Sequence, residues 1–425
     1  MTSHKASCIL RRLNCEPHQP LKTNHHHPAG GTNRPLKKLL LTAFVLILTF
    51  ASFGAQARFT HVATHPEAAN TFPATQQAAN SVMRLSHRGR EIKVLRAFKN
   101  RLYIGYGQDD GPNLPGSCTP FYINSKSGAH WCPIILRYFD PATARLSAPL
   151  EAFRSQELSV LEVMNGSLYG LAEDQEGPAD YFKCSASSCK GGVIHFEKPA
   201  HIYSATAFKG AIYMAGSIGY DGAIWKSTDN GNHWVETKRV KAQSVEVNGK
   251  NDFARFYDVG GPYQGKLYGH ARDWYGRFQP TSYTYDGNSS NFWAPQSFSL
   301  ERWAPTRRMR EFAGKLVFIE GAEFKQFDGA SVRHHYVPHV EDYTISGEWL
   351  YVLNSASGQH RIMRTKDLVS WRQVDIAPSN AISLEVVGNH AYVGTTNAQI
   401  HKSDVDLDKL TIVITPILYL LLLDD

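Results

Sequence analysis

The sequence predicts an all-β fold, a seven-bladed β-propeller of four-stranded antiparallel blades. Three observations carry this expectation. A hairpin signature recurs seven times, its copies fill residues 91–415 at roughly 46 residues each, and no long amphipathic helix pattern separates them. A propeller blade takes ~40–50 residues, and a single blade buries its faces only against its neighbours. The composition agrees: 425 residues, 42% apolar, 12% aromatic and 20% charged, with 33 Gly and 21 Pro. That is globular, turn-rich and not disordered. A pair of β-sandwiches is the alternative, but it does not predict so regular a hairpin series.

Each copy is an apolar residue, a two-residue turn and a short strand that usually ends in Leu-Tyr. The copies are Phe98–Tyr103, Met164–Tyr169, Phe208–Tyr213, Tyr263–Tyr268, Phe312–Val317, Ile345–Tyr351 and Val387–Tyr392. The second turn position is Gly five times and Asn twice. Both tolerate the positive φ of tight hairpins. Flanking segments alternate or run apolar for four to six residues and are rich in β-branched and aromatic residues.

Residues 1–57 read as a leader. Lys37-Lys38 precede the apolar run Leu39–Phe53, and Ala55-Gln56-Ala57 has the small-x-small pattern of a Sec-type signal cleaved after Ala57. The leader carries seven Lys/Arg and one acid, Glu16, whereas the remaining chain has 38 basic against 37 acidic residues. The body is near neutral, which argues against nucleic acid or an anionic membrane as partner. The apolar run falls short of the ~20 residues of a spanning helix, so no stable membrane span is expected after cleavage. A secreted or periplasmic location follows. Residues 58–90 read as a polar linker in which Phe59–Val62 could serve as a strand. Thr411–Thr415 is β-branched and suits a ring-closing strand, and residues 416–425 form an apolar tail of unassigned role. Beyond the leader four cysteines remain, and an exported chain pairs them; Cys118–Cys132 and Cys184–Cys189 are the local pairing among three connectivities.

Ser227-Thr228-Asp229-Asn230-Gly231-Asn232-His233-Trp234 closes the third copy. The pattern Ser227, Asp229, Gly231, Trp234 resembles the Asp box, or BNR repeat, of the sialidase-like propellers. Thr365–Trp371 is a shortened version, and Asp286-Gly287 and Asp328-Gly329 look like eroded ones. In such a turn a hydroxyl and a carboxylate bind backbone N–H groups, Gly supplies the φ, and Trp fills the adjoining space. The resemblance places the box between the third and fourth strands, away from the ligand face, and makes Asp229 structural. The sialidases' Phe/Tyr-Arg-Ile-Pro motif is absent from the sequence, so no catalytic residue is assigned.

Candidate ligand-binding residues come from the loops expected where the channel opens: Asp109, Asp110, Glu173, Asp174, Arg272, Asp273, Trp274, Tyr275, Glu320 and Glu323. Carboxylates mixed with aromatics suit sugars, since rings pack on pyranose faces and charged groups bind hydroxyls. A solvated loop rim is the alternative for any one of them. Arg96 and Arg310 stand two residues before the turn-leading Phe98 and Phe312, in equivalent places, and Arg308 shares the parity of Arg310. A cationic cluster facing the channel would suit an anionic ligand. No cofactor is expected, with Ca²⁺ on paired acids a weak option, and no metal site is read. The expected function is binding of a glycan or protein ligand on the channel face. A glycan-active hydrolase using Asp109, Asp174 or Glu320, and a periplasmic assembly or scaffold protein, are the alternatives.

Overall fold

The structure is a computed structural model that describes residues 59–69 and 91–410, apart from 108–121, 124–129, 174–178, 195–199, 243–253, 274–280, 297–305 and a few shorter stretches. It is nearly all-β, built from antiparallel four-stranded arrays. The first two arrays are halves of one nine-stranded sheet, joined where Gly107 pairs with Glu157. Five separate four-stranded sheets follow. The first strands of arrays one to seven are Glu91–Phe98, Glu157–Met164, Ala200–Phe208, Ala254–Tyr263, Thr306–Phe312, Val340–Ser346 and Ala381–Val387.

All seven hairpins read from the sequence join the first and second strands of an array. The turn chemistry is the reason. Lys209 and Gly210 sit at φ 49° and 77°, and Lys99 and Asn100 at 51° and 60°, the paired positive φ of a type I′ turn.

The last array takes its fourth strand from the start of the chain. Phe59–Thr64 pairs with Gln399–Ser403, and the short helix Pro66–Ala69 follows. The strand allowed for at Phe59–Val62 is present and runs on to Thr64, so the linker reading of 58–90 does not hold for these residues. The sequence Phe-Thr-His-Val-Ala-Thr is β-branched enough for an edge strand although its polar residues resemble a linker. Arg137 anchors this segment: its guanidinium binds both oxygens of Glu67. The proposed closing strand Thr411–Thr415 and the tail lie outside the described residues.

Apolar clusters lie between consecutive arrays. Met164 and Tyr169 pack with Ile212 and Trp225, Tyr213 with Leu267, Tyr268 with Leu316, Phe324 with Leu350, and Tyr351 with Leu384. Val387 and Tyr392 of the seventh array share a cluster with Ile92 and Leu102 of the first. Each array thus hides its apolar faces against the next.

One irregularity repeats in all seven first strands: a single extra residue opposite the second strand. It falls after Glu91, Glu157, Ile202, Phe256, Arg307, Val340 and Ala381. Such bulges turn a side chain out of the regular alternation. Here they lie at one level of the fold.

Candidate functional site

A cavity of about 280 Å³ receives side chains from all seven first strands. The bulges supply them: Lys93, Ser159, Tyr203, Tyr257, Arg308, Glu341 and Ile382. Tyr203 and Tyr257 form an aromatic wall, with ring centroids 5.2 Å apart at 30°. The Arg255 guanidinium lies 5.4 Å from the Tyr203 ring centroid.

Hydrogen bonds stitch neighbouring first strands just beyond the bulges. The Ser204 hydroxyl accepts the Val259 N–H at 2.6 Å, Asp258 accepts the Met309 N–H at 2.9 Å, and Asp342 accepts the Leu384 N–H at 2.8 Å. Ser383 donates to the Ile92 carbonyl at 2.7 Å. Between the fifth and sixth arrays Arg308 meets Asp342 at 2.6 Å and donates to the Tyr343 carbonyl at 3.1 Å. The Tyr343 hydroxyl donates back to the Arg308 carbonyl.

Two residues deeper, an ion-pair network crosses between arrays. Glu162 accepts from Arg96 at 2.9 Å and from Arg310. Arg96 also lies 3.5 Å from Glu385, which accepts the Thr344 hydroxyl at 2.6 Å. Burial would raise the Glu162 carboxyl, but Arg310, Arg96 and Arg308 together hold it below the usual carboxylate range. Asp258 behaves oppositely. Burial pushes it up to about 6, with Glu162 acting in the same direction, against the Met309 amide, Arg310 and Ser204. Burial also raises Asp342, with Arg308 opposing.

The sequence reading brought Arg96 and Arg310 to one place, and the structure joins them through Glu162. They are not a free cationic cluster: carboxylates neutralise them, as Asp342 does Arg308. Arg308 lines the same cavity as Arg310, as their shared parity predicts, although the bulge after Arg307 interrupts the regular alternation between them. Glu162 was missed, although it stands two residues before Met164 as Arg96 does before Phe98.

Glu320 and Glu323 do not line the cavity. They flank the two-residue turn joining the second and third strands of array five. Buried Lys325 pairs with Glu320 and lies 3.3 Å from Glu323, which also meets His334 at 2.9 Å. Arg272 is half-buried opposite Arg255. Glu173 and Asp273 close the strands Ser167–Glu173 and Lys266–Asp273. Asp109, Asp110, Asp174, Trp274, Tyr275, Cys118 and Cys132 lie outside the described residues. Cys184 and Cys189 form the expected disulfide.

The Ser227–Trp234 segment forms a tight turn between third and fourth strands. The Ser227 oxygen accepts the Gly231 N–H at 2.8 Å, Asp229 accepts the His233 N–H at 2.9 Å, and Trp234 donates to the Gly231 carbonyl at 3.0 Å. The Thr365–Trp371 turn repeats the scheme: Thr365 accepts from Leu368 at 2.9 Å, and Asp367 from Ser370 at 2.7 Å. Among the described residues no group of three or more His, Cys, Asp or Glu is placed to hold a metal ion. No described helix is long and apolar enough to cross a membrane.

No family model matches the chain, and no curated protein does. Solved structures do. A putative 6-phosphogluconolactonase from Bacteroides fragilis is 15% identical, over 66% of this chain and 89% of that one, with a TM-score of 0.44. A catalytically inactive virginiamycin B lyase from Staphylococcus aureus, with quinupristin, is 11% identical over 74% and 95%, with a TM-score of 0.46. The computationally designed Ika8 protein is 11% identical over 74% and 96%, with a TM-score of 0.42.

Proposed function

We propose that the seven arrays are blades of one propeller, closed by the N-terminal strand, and that the protein binds a small ligand of the glycan class in the axial cavity. One observation carries the reading: every first strand sends its bulged residue into the same cavity. A two-sheet sandwich gives no reason for seven equivalent strands to meet at one recess. The seventh array's shared core with the first supports closure. The turns at Ser227 and Thr365 support the resemblance to the Asp box of the sialidase-like propellers.

The lining is polar, with two tyrosines and several charged groups, and the volume lies just below the ~300–1,000 Å³ of small-molecule sites. That favours a small polar ligand over a protein surface. The leader pattern and the Cys184–Cys189 bridge support an exported, oxidising location. A second reading, a glycan-active hydrolase, draws on Asp258: a carboxyl raised to about 6 on the same cavity as Glu157 and Glu341 has the character of a general acid.

A glycan array probed with the exported protein tests binding. The Tyr203→Ala, Tyr257→Ala double variant is expected to lose about tenfold or more in affinity. Unchanged binding in that variant removes the cavity as the site.

A further inference from the structure

The charges lining the cavity are almost all matched within the protein. Lys93 lies 2.8 Å from Glu91 and 3.7 Å from Glu157. Arg308 is held by Asp342, and Arg310 by Glu162. Asp258 is buried and bound to the Met309 amide. Arg307 and Glu341 remain. Among the described residues neither has an opposite charge within 4.0 Å. Arg307 is exposed to solvent within the recess, and donates only long bonds of 3.5 Å to the carbonyls of Gly321 and Val340. Glu341 has one oxygen bound by the Ser355 hydroxyl at 2.8 Å. The two stand on adjoining first strands and act on each other electrostatically without touching; Asp342, already paired with Arg308, acts on Arg307 more strongly than Glu341 does.

We infer that the ligand is zwitterionic, with a carboxylate received by Arg307 and an ammonium group received by Glu341. The inference rests on the reading of the cavity as a binding site and names the ligand's charge pattern. A simple anion on Arg307 would feel the Glu341 carboxylate across the cavity, and a simple cation on Glu341 would feel the guanidinium. A group bearing both charges satisfies both walls. The planar guanidinium fork suits a carboxylate bidentately. Tyr203 and Tyr257 line the same cavity and offer their rings to an apolar or sugar-ring face of such a ligand.

The test titrates the intact protein with ω-amino acids from glycine to 6-aminohexanoate, followed by NMR or calorimetry. Acetate and ethylammonium serve as half-ligands. One chain length is expected to bind about tenfold or more tighter than either half-ligand. Arg307→Ala and Glu341→Gln should each abolish that preference, and Arg307→Lys, which keeps the charge but loses the fork, should retain part of it. The inference is overturned if no chain length exceeds both half-ligands, or if the preference survives in Arg307→Ala and Glu341→Gln. Glycan binding that depends on Tyr203 and Tyr257, without any amino-acid preference, overturns the zwitterion and leaves the cavity reading standing. Amino-acid preference without glycan binding does the reverse to the glycan class. Absence of both overturns both.

Discussion

Carboxylates in two regions of this molecule are satisfied in opposite ways. At the outer turns, Asp229 and Asp367 find their partners within four residues, and backbone N–H groups hold both well below the usual carboxylate range. Around the cavity the partners are distant in sequence: 148 residues from Glu162 to Arg310, 51 from Asp258 to Met309, and 42 from Asp342 to Leu384. The outer group shapes a loop by itself. The inner group exists only when separate arrays have met, so its charges act as fasteners between arrays and as the lining of a recess.

Breaking the inner fastener should have the largest effect. Glu162→Ala leaves Arg96 and Arg310 without their shared carboxylate, at a cost of about 3–5 kcal/mol in urea unfolding. Combining Glu162→Leu with Arg96→Met and Arg310→Met should recover most of that loss, because no buried charge is then left alone.

Asp258 sharpens the contrast through pH. Its folded value, about 6, lies above the ordinary 3.8, so the folded state binds the proton more tightly than the unfolded state. Its contribution to stability therefore grows as pH falls from about 7 to about 4, by up to roughly 3 kcal/mol. His65 opposes it. Burial lowers that imidazole from 6.5 to about 4, so stability is lost as pH falls through this range. Subtracting the denaturation profile of Asp258→Asn from that of the native chain should isolate the Asp258 slope. A flat difference between pH 4 and 7 would remove the raised carboxyl.

Smaller effects belong to the outer turns. Ser227→Ala removes the buried acceptor of the Gly231 N–H and should cost about 1–2 kcal/mol in thermal unfolding, with Thr365→Val close behind. Asp229→Asn keeps an acceptor oxygen on an exposed side chain, so its melting temperature should move less than that of Ser227→Ala. Glycan and amino-acid binding should be unchanged in all three turn variants, since none lines the cavity.

The same contrast decides what could be read from the sequence. The seven hairpins were legible because their tight turns need positive φ, at two adjacent positions in the first five arrays and at the first position, Gly347 and Gly388, in the last two, which restricts the residues that fit. The Ser227 turn was legible for the same local reason. The bulges were not. One extra residue leaves no periodic mark, and Lys93, Ser159, Tyr203 and Ile382 share no chemistry, only a level in the fold. Glu162 was within reach: counting back two residues from each turn-leading apolar residue finds Arg96, Glu162, Arg310 and Glu385 together. Acids and cations alternate along the chain at those four places, so the arginines alone give half of the pattern. The strand Phe59–Thr64 was half legible, because its polar residues suit a solvated edge as well as a linker.

That strand has a consequence for how the molecule is made. Its partner, Gln399–Ser403, leaves the ribosome more than 300 residues later. Phe59–Thr64 must therefore wait for this partner until the last array has emerged. Only then can the four-stranded sheet that joins residues 59–64 to 381–403 be completed, so a truncation near residue 400 removes the partner of the early strand as well as the late one.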